Sequence, residues 1–346
     1  MRTLVVPALC LCLLSTSASA QSTDGAAPAA TTEQAAAADA ALAEAVPEQI
    51  RVVAQRPGPS MWKVTKGEHV LWVFGTYAPL PKDMQWRSQQ VEAVIRNAQE
   101  YLAPPSASAK PGFFKSITLL PSLIGLRKNP DGAVLRDVMP AGEYARWSEL
   151  KAKYLPDNDD VERERPIFAA EVLTRAARHQ AGLWNENSVS KQIQDLVKKS
   201  KLKKTSSTFE IPMNNARTVL KNFKQSSAGD AACLAQTMKT LESDIAAASA
   251  RANAWAKGDM DEMRKLDFSS REDACFGSLM NSAAFDAEPE FRNMKLRAHA
   301  KWIASAEKAL DANLSTFAMM PIGDILDPKG VVAALAAKGY QVEQPE

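Results

Sequence analysis

The sequence contains few of the residues that mark specialised folds. Its 346 residues include 15 glycines, 20 prolines and 4 cysteines, which excludes collagen-like, low-complexity and disulfide-dense small folds. The three histidines, His69, His179 and His299, are too few for a multi-metal histidine site. Lys plus Arg number 42 against 40 for Asp plus Glu, and this balance argues against a nucleic-acid-binding or membrane-coating chain. A hydrophobic content of 46% suffices for one large domain or two small ones.

The longest apolar run lies at the N-terminus. Arg2 precedes apolar residues 4–14, and Ala18-Ser19-Ala20 forms a small-x-small cleavage site. Because a membrane span needs about 20 apolar residues, we expect a cleaved signal peptide over residues 1–20, cut between Ala20 and Gln21. A short anchor and a lipoprotein are the competing interpretations. The prediction is therefore a bacterial periplasmic or secreted protein with no transmembrane segment after signal removal.

Export changes the interpretation of the cysteines. Removal of residues 1–20 leaves only Cys233 and Cys275, and two cysteines in an oxidising compartment predict one disulfide. The chain-entropy estimate gives such a bridge roughly 4 kcal/mol of stabilisation. Two buried free thiols are the alternative. A redox-active pair is disfavoured because there is no Cys-x-x-Cys spacing.

The mature chain divides into a leader and one folded domain. Residues 21–58 are Ala-rich with little to bury, which predicts a disordered leader, and residues 59–346 form the domain. Short β-rich runs at 61–64 and 69–74 predict a hairpin, and Ser315–Met320 and Tyr340–Val342 predict later strands. A strand is also expected over Ser206–Ile211.

Helical spacing covers most of the chain between these strands. It predicts helices over 86–98, 143–154, 166–182, 189–199, 215–266, 290–312 and 330–338, with a loop over Pro321–Lys329. The fold class is therefore α+β, with a central mixed sheet and a large helical insertion in a single domain.

Both ends of this domain resemble the TraB/GumN family, which is related to the Tiki metalloproteases. The likeness rests on Trp62-Lys63-Val64, Phe74-Gly75-Thr76, Leu80-Pro81 and Trp86 near the start, and on Gly323-Asp324, Lys329-Gly330-Val331 and Gly339-Tyr340-Gln341-Val342 near the end. Phe209-Glu210 and Arg292-Asn293 match shorter family motifs between them. The resemblance covers roughly residues 61–342 and implies a metal site on two histidines and carboxylates.

Several of those ligand positions carry other residues. Ala78 stands at the first histidine position, Ala103-Pro104 at the first glutamate position, and Asp324 best matches the second histidine. Glu210 and Asp324 provide at most two oxygen ligands, whereas a catalytic site of this kind takes three ligands and an open position. The resemblance implies that Gly75, Thr76, Arg292 and Asn293 remain as structural residues around the cleft that holds the metal site in the family.

The expected function is that of an exported, non-catalytic binding or scaffolding protein. Its partner would be a protein or peptide of unknown identity, with no cofactor and no nucleic acid. The alternative is a metal-dependent peptidase or hydrolase that uses Glu210 and Asp324 with a divalent metal such as Mn or Co. A third interpretation is an envelope protein that contributes stability only.

The densest positive run is formed by Lys198, Lys199, Lys201, Lys203 and Lys204. It is interpreted as a solvated helix end, with contact to a polyanion as the alternative.

Overall fold

The computed structural model describes residues 58–110, 119, 121–186, 188–212, 215–226, 229–265, 275, 285, 289–291 and 293–345. The expected signal peptide and the leader up to residue 57 lie outside these residues, and so does Arg292. In the part of the chain that is described, no helix is both long and apolar enough to span a bilayer.

An antiparallel hairpin begins the domain, as the spacing of its apolar runs predicts. Strand β1 spans Met61–Lys66 and strand β2 spans His69–Thr76. Lys66 pairs with His69, so a two-residue turn joins the strands. Val64 and Leu71 are fully buried opposite one another, which fixes the register because a one-residue slip would turn them to the other face.

The hairpin belongs to a six-stranded mixed sheet. Its four additional strands are β4 (Glu100–Leu102), β7 (Lys203–Thr205), β9 (Ser315–Pro321) and β10 (Gln341–Glu343). The order in the sheet is β10-β1-β2-β9-β4-β7. Strand β9 pairs in parallel with β2 on one side and with β4 on the other. Strands β7 and β10 form the two ends, β7 parallel to β4 and β10 antiparallel to β1.

Two small sheets accompany the large one. Strands β3 (Leu80–Pro81) and β6 (Leu183–Trp184) are antiparallel. Strands β5 (Ser106–Lys110) and β8 (Thr208–Pro212) are parallel.

Most helices of the described chain lie between β5 and β9, with one before β5 and two after β9. The α-helices are α1 (Gln89–Asn97), α2 (Leu135–Val138), α3 (Ala141–Tyr154), α4 (Pro166–Gln180), α5 (Ser188–Lys199), α6 (Ala216–Gln225), α7 (Asp230–Lys257), α8 (Met260–Lys265), α9 (Met294–Ala312), α10 (Ile322–Leu326) and α11 (Val331–Ala337). Short 3-10 turns cover Pro130–Gly132, Asp159–Arg163 and Pro289–Phe291. The predicted α+β class, with its central mixed sheet and helical insertion, is confirmed.

Two expectations from the sequence need correction. The loop expected over Pro321–Lys329 contains α10, because Ile322 and Ile325 are buried on one side of a single helical turn that follows Pro321. The helical block expected over residues 215–266 is divided, since Gly229 at φ 90° separates α6 from α7. The short strand β4, with all three residues buried, was not predicted.

The apolar residues form two large clusters. The first lies against the central sheet and contains the fully buried indoles of Trp62, Trp255 and Trp302. The second lies among α3, α4 and α7 around Trp147 and Leu234. Helix α7 contributes to both clusters, because Leu234 is near its start and Trp255 is near its end.

A buried ion pair joins the starts of α4 and α7. Arg165 and Asp230 are 2% and 4% exposed, and the Nε–Oδ2 distance is 2.7 Å. The Arg165 guanidinium also donates to the carbonyls of Phe223 and Ser226. Burial raises the pKa of Asp230, and the Arg165 guanidinium opposes that shift. Loss of one partner from such a pair is strongly destabilising, because the other charge stays buried.

The structure pairs Cys233 with Cys275, which is the disulfide predicted from the sequence. The two sulfur atoms are 2.08 Å apart and the Cα atoms 5.3 Å apart. Cys233 lies on α7 within the second cluster, and Cys275 packs against that cluster. The bridge therefore ties residue 275 to the helical layer.

Candidate functional site

The family-like motifs Phe74-Gly75-Thr76 and Gly323-Asp324 lie at, or just beyond, the ends of β2 and β9, which are neighbouring strands. In the parallel pairing of β2 with β9, Gly75 is level with Met320 and Thr76 with Pro321. The hydroxyl of Thr76 donates to the carbonyl of Met320 at 3.1 Å. Ligands in sheets of this kind bind outside the carboxyl ends of the strands, so this edge is the candidate site.

Gly75 is held closely on three sides. Its carbonyl accepts a 2.7 Å hydrogen bond from the Trp255 indole on α7. A methyl group added at Gly75 would lie 2.9 Å from Cζ3 of Trp62 and 3.2 Å from Cγ1 of Ile322. Glycine is required here by the close approach of these side chains, so its role is to bring α7 and α10 against the strand end.

Gly75 and Thr76 are followed by Tyr77 and by Ala78, whose side chain has no atom that could bind a metal. The Tyr77 hydroxyl donates to the carbonyl of Ala248 on α7 at 3.4 Å. Burial raises the pKa of Tyr77, and the Arg251 and Arg178 charges oppose the shift. Ala78 is exposed and precedes a cis bond to Pro79. Its side chain is a methyl group and cannot ligate a metal.

Asp324 lies just beyond the end of β9 and has two basic neighbours. Lys295 Nζ is 3.1 Å from Oδ1 of Asp324, and His299 Nε2 is 3.4 Å from Oδ2. The side chains of Asp324 and His299 are 15% and 13% exposed. Burial alone would raise the pKa of Asp324, but its contacts with His299 and Lys295 outweigh burial and lower it. Each carboxylate oxygen therefore has a nitrogen partner from α9.

The sequence did not identify Lys295 and His299 as site residues. They are four residues apart and so occupy one face of α9. The four-residue spacing is visible in the sequence, but it indicates a site only because the fold places Asp324 opposite that face of α9.

Glu210 lies away from this group. It is exposed on β8, where it pairs with Ser108 of β5. Strand β8 contacts α9 through Lys301, whose ammonium donates to the Thr208 carbonyl at 2.6 Å, and through Arg297, which lies over the Phe209 ring. At 100° per residue, Arg297 and Lys301 are on the side of α9 opposite Lys295 and His299.

The remaining predicted site residues are Arg292, which is outside the described residues, and Asn293. Asn293 is exposed immediately before α9, and its side chain makes no capping hydrogen bond. Its carbonyl accepts from the Arg297 amide.

A three-ligand metal site does not fit these residues. Among the described residues no group of three His, Cys, Asp or Glu side chains is arranged to hold an ion. Ala78 offers no donor, Glu210 lies on β8 in the small sheet, and the Asp324 oxygens already contact two nitrogens. The residues instead form an ion-paired cluster of Lys295, His299 and Asp324, which we call the α9–α10 cluster.

The backbone under this cluster has no room for an added methyl group, and Gly330→Ala tests this. The new Cβ would lie 2.0 Å from the Asp324 carbonyl oxygen and 2.9 Å from that of Asp327. We expect a loss of about 1–3 kcal/mol in unfolding free energy, measured by urea denaturation. The matched control is Gly142→Ala in α3, where no atom lies within 4 Å and a gain of up to about 1 kcal/mol is expected. Equal effects would contradict the crowding at Gly330.

The lowered pKa of Asp324 predicts a pH-dependent contribution to stability. A carboxyl group with a lowered folded-state pKa stabilises fully above its ordinary value of 3.8 and loses that contribution as pH falls through the folded-state value. Asp324→Asn should therefore cost about 1–2 kcal/mol near neutral pH, and the cost should shrink in acid. Denaturation midpoints across this pH range measure it. Asp131→Asn, which removes an exposed carboxyl, is measured beside it as the control for loss of one negative charge. A pH-independent cost at Asp324 would refute the ion-pair account.

Comparison with known proteins agrees with the architecture. The model of the TraB/PrgY/gumN family matches residues 60–344. This match covers most of the 346 residues, so the chain belongs to the TraB/PrgY/gumN family. No curated protein and no solved structure matches the chain.

Proposed function

We propose that this member of the TraB/PrgY/gumN family is an exported, non-catalytic binding protein whose scaffold has lost its metal ligands. The observation that carries the proposal is the α9–α10 cluster. At the position that best matches a family histidine, Asp324 contacts Lys295 and His299. Lys295 provides positive charge where an active relative would use a metal ion, and His299 adds a second nitrogen contact.

The electrostatics of the cluster oppose a divalent cation. An ion bound to Asp324 would lie close to the Lys295 ammonium, which is 3.1 Å from the same carboxylate, and the two like charges would repel each other. Because the Lys295 side chain is 62% exposed, solvent screens part of this repulsion. The ion would also need ligands other than Ala78. Inherited metal-dependent hydrolysis is therefore the less supported function.

Other parts of the strand-end region remain well connected. Thr76 bonds across to Met320, Trp255 bonds to Gly75, and Tyr77 bonds to Ala248. These contacts join β2, β9 and α7 without a metal ion. The scaffold of this region therefore does not need a metal ion to hold it together, which is consistent with a retained fold after loss of catalysis.

Export is part of the same proposal. The apolar run over residues 4–14 and Ala18-Ser19-Ala20 fit a cleaved signal peptide. The Cys233–Cys275 pairing fits an oxidising compartment such as the bacterial periplasm.

Metal-dependent thermal unfolding tests the loss of the metal site. We expect no stabilisation by Mn²⁺, Co²⁺ or Zn²⁺ relative to a chelated sample. A metal ion that binds the folded state, present at one hundred times its Kd, would raise the free energy of unfolding by about 2.7 kcal/mol. Asp324→Asn and Glu210→Gln are measured beside the wild type. Stoichiometric metal that is lost in either variant would contradict the proposal and make peptide hydrolysis the next assay. Ala78→His alone should restore neither metal binding nor hydrolysis.

Mass spectrometry of the exported protein tests its processing. We expect Gln21 at the N-terminus and a linked peptide containing Cys233 and Cys275 in a non-reduced digest. An Ala20→Arg variant is the control for cleavage, since a charged residue at the cut should block processing. An intact N-terminus in the wild type, or alkylation of both thiols without reductant, would contradict the export proposal.

A further inference from the structure

Positive charge is concentrated in one short part of the chain. Residues 188–209 contain six lysines, no arginine and a single acidic residue, Asp195. The local formal charge is therefore +5, compared with +2 for the whole chain. Because the overall charge is nearly balanced, this asymmetry marks the segment as locally basic.

The fold turns these lysines toward solvent. In α5, Val189, Ile193 and Val197 are buried against the sheet. At 100° per residue, this places Lys198 and Lys199 on the outer side of the helix. The chain then turns at Lys201, with φ of 52°, and continues into β7, the last strand of the central sheet.

Four of the six ammonium groups have no ion-pair or hydrogen-bond partner among the described residues. Lys191 contacts Asp195 at 2.6 Å, and Lys203 contacts the buried Glu100 at 3.1 Å. The other four are exposed; we call them the lysine patch: Lys198, Lys199, Lys201 and Lys204. Lys198 and Lys199 lie in the last turn of α5, where cations suit the negative end of the helix dipole, and all four ammonium groups are open to solvent.

A shallow groove continues from the patch along α5. It has a volume of about 350 Å³ and is lined by Lys191, Gln192, Asp195, Leu196 and Lys199. Leu196 provides apolar surface between charged side chains, and Lys199 belongs to both the groove and the patch. A ligand at this surface would therefore meet ammonium groups and an aliphatic strip together.

We propose that the lysine patch and its groove dock this protein onto an anionic phospholipid surface. Lysines are flexible point charges that suit a diffuse layer of headgroups, whereas specific phosphate recognition favours the arginine fork. No aromatic residue is interleaved with the patch lysines, so the stacking platform of single-strand nucleic-acid binders is absent from this segment. The inference is independent of the α9–α10 cluster and of whether the protein is catalytic.

Vesicle co-sedimentation tests the proposal directly. The purified full-length protein is mixed with phosphatidylcholine vesicles that either contain or lack phosphatidylglycerol. Binding should require phosphatidylglycerol and should weaken when salt is raised from about 0.1 M to about 1 M, because the Debye length falls from about 10 Å to about 3 Å. Each lysine near an anionic surface contributes roughly five-fold to partitioning.

The patch variant combines Lys198→Gln, Lys199→Gln, Lys201→Asn and Lys204→Gln. Asparagine is used at 201 because it tolerates positive φ, and Lys203 is kept because it pairs with Glu100. The variant should lose at least about 100-fold in partitioning. The control replaces four exposed lysines elsewhere, Lys221, Lys239, Lys257 and Lys308, with glutamine, so that the net charge changes equally.

Three outcomes would overturn the proposal. Equal losses in the two variants would mean that net charge, rather than the patch, governs binding. Tighter binding to a nucleic acid or an acidic polysaccharide than to the vesicles would assign the patch to another polyanion. Unchanged vesicle binding together with aggregation of the patch variant would show that the lysines protect the edge of β7. A circular dichroism spectrum like the wild type's confirms that both variants are folded.

Discussion

The structure depends on the insertion of β9 between β2 and β4. Both neighbours of β9 come from the N-terminal part of the domain, and the hydrogen bond from Thr76 to Met320 joins residues 244 positions apart. The sheet therefore closes only when the chain returns after the whole helical insertion. The same pairing brings the ends of β2 and β9 together, so the sheet core and the candidate site arise from one long-range contact.

The parts of the fold that have a strong local sequence pattern were predictable from the sequence. The hairpin followed from two short β-rich runs separated by a turn, and α4 followed from helical spacing after Pro166. The strand β4 was missed because three buried residues are too few to show a period. The turn α10 was missed because Pro321 and Gly323 are typical of loops, whereas burial of Ile322 and Ile325 against the sheet determined the outcome. Tertiary packing overrode local propensity in both cases.

The two turns could be picked out in the sequence, but their chemistry could not. The turns at Gly75 and Asp324 follow predicted strands and resemble family motifs, and the fold places the two strand ends next to each other. The partners of Asp324 could not be predicted, because Lys295 and His299 lie on a helix that resembles any other amphipathic helix in sequence. Glu210 was a second ligand candidate on the family resemblance, but the fold places it in the small β5–β8 sheet, which local sequence could not indicate.

The α9–α10 cluster has a consequence for the conditions in which the protein works. A bound metal exchanges with its surroundings, so its occupancy depends on supply and on competing chelators. Lys295 and His299 are covalently part of the chain, and their local concentration at Asp324 is fixed by the fold rather than by the medium. If the metal site is lost as proposed, the charge balance of this strand-end region does not depend on the trace-metal content of the surrounding compartment.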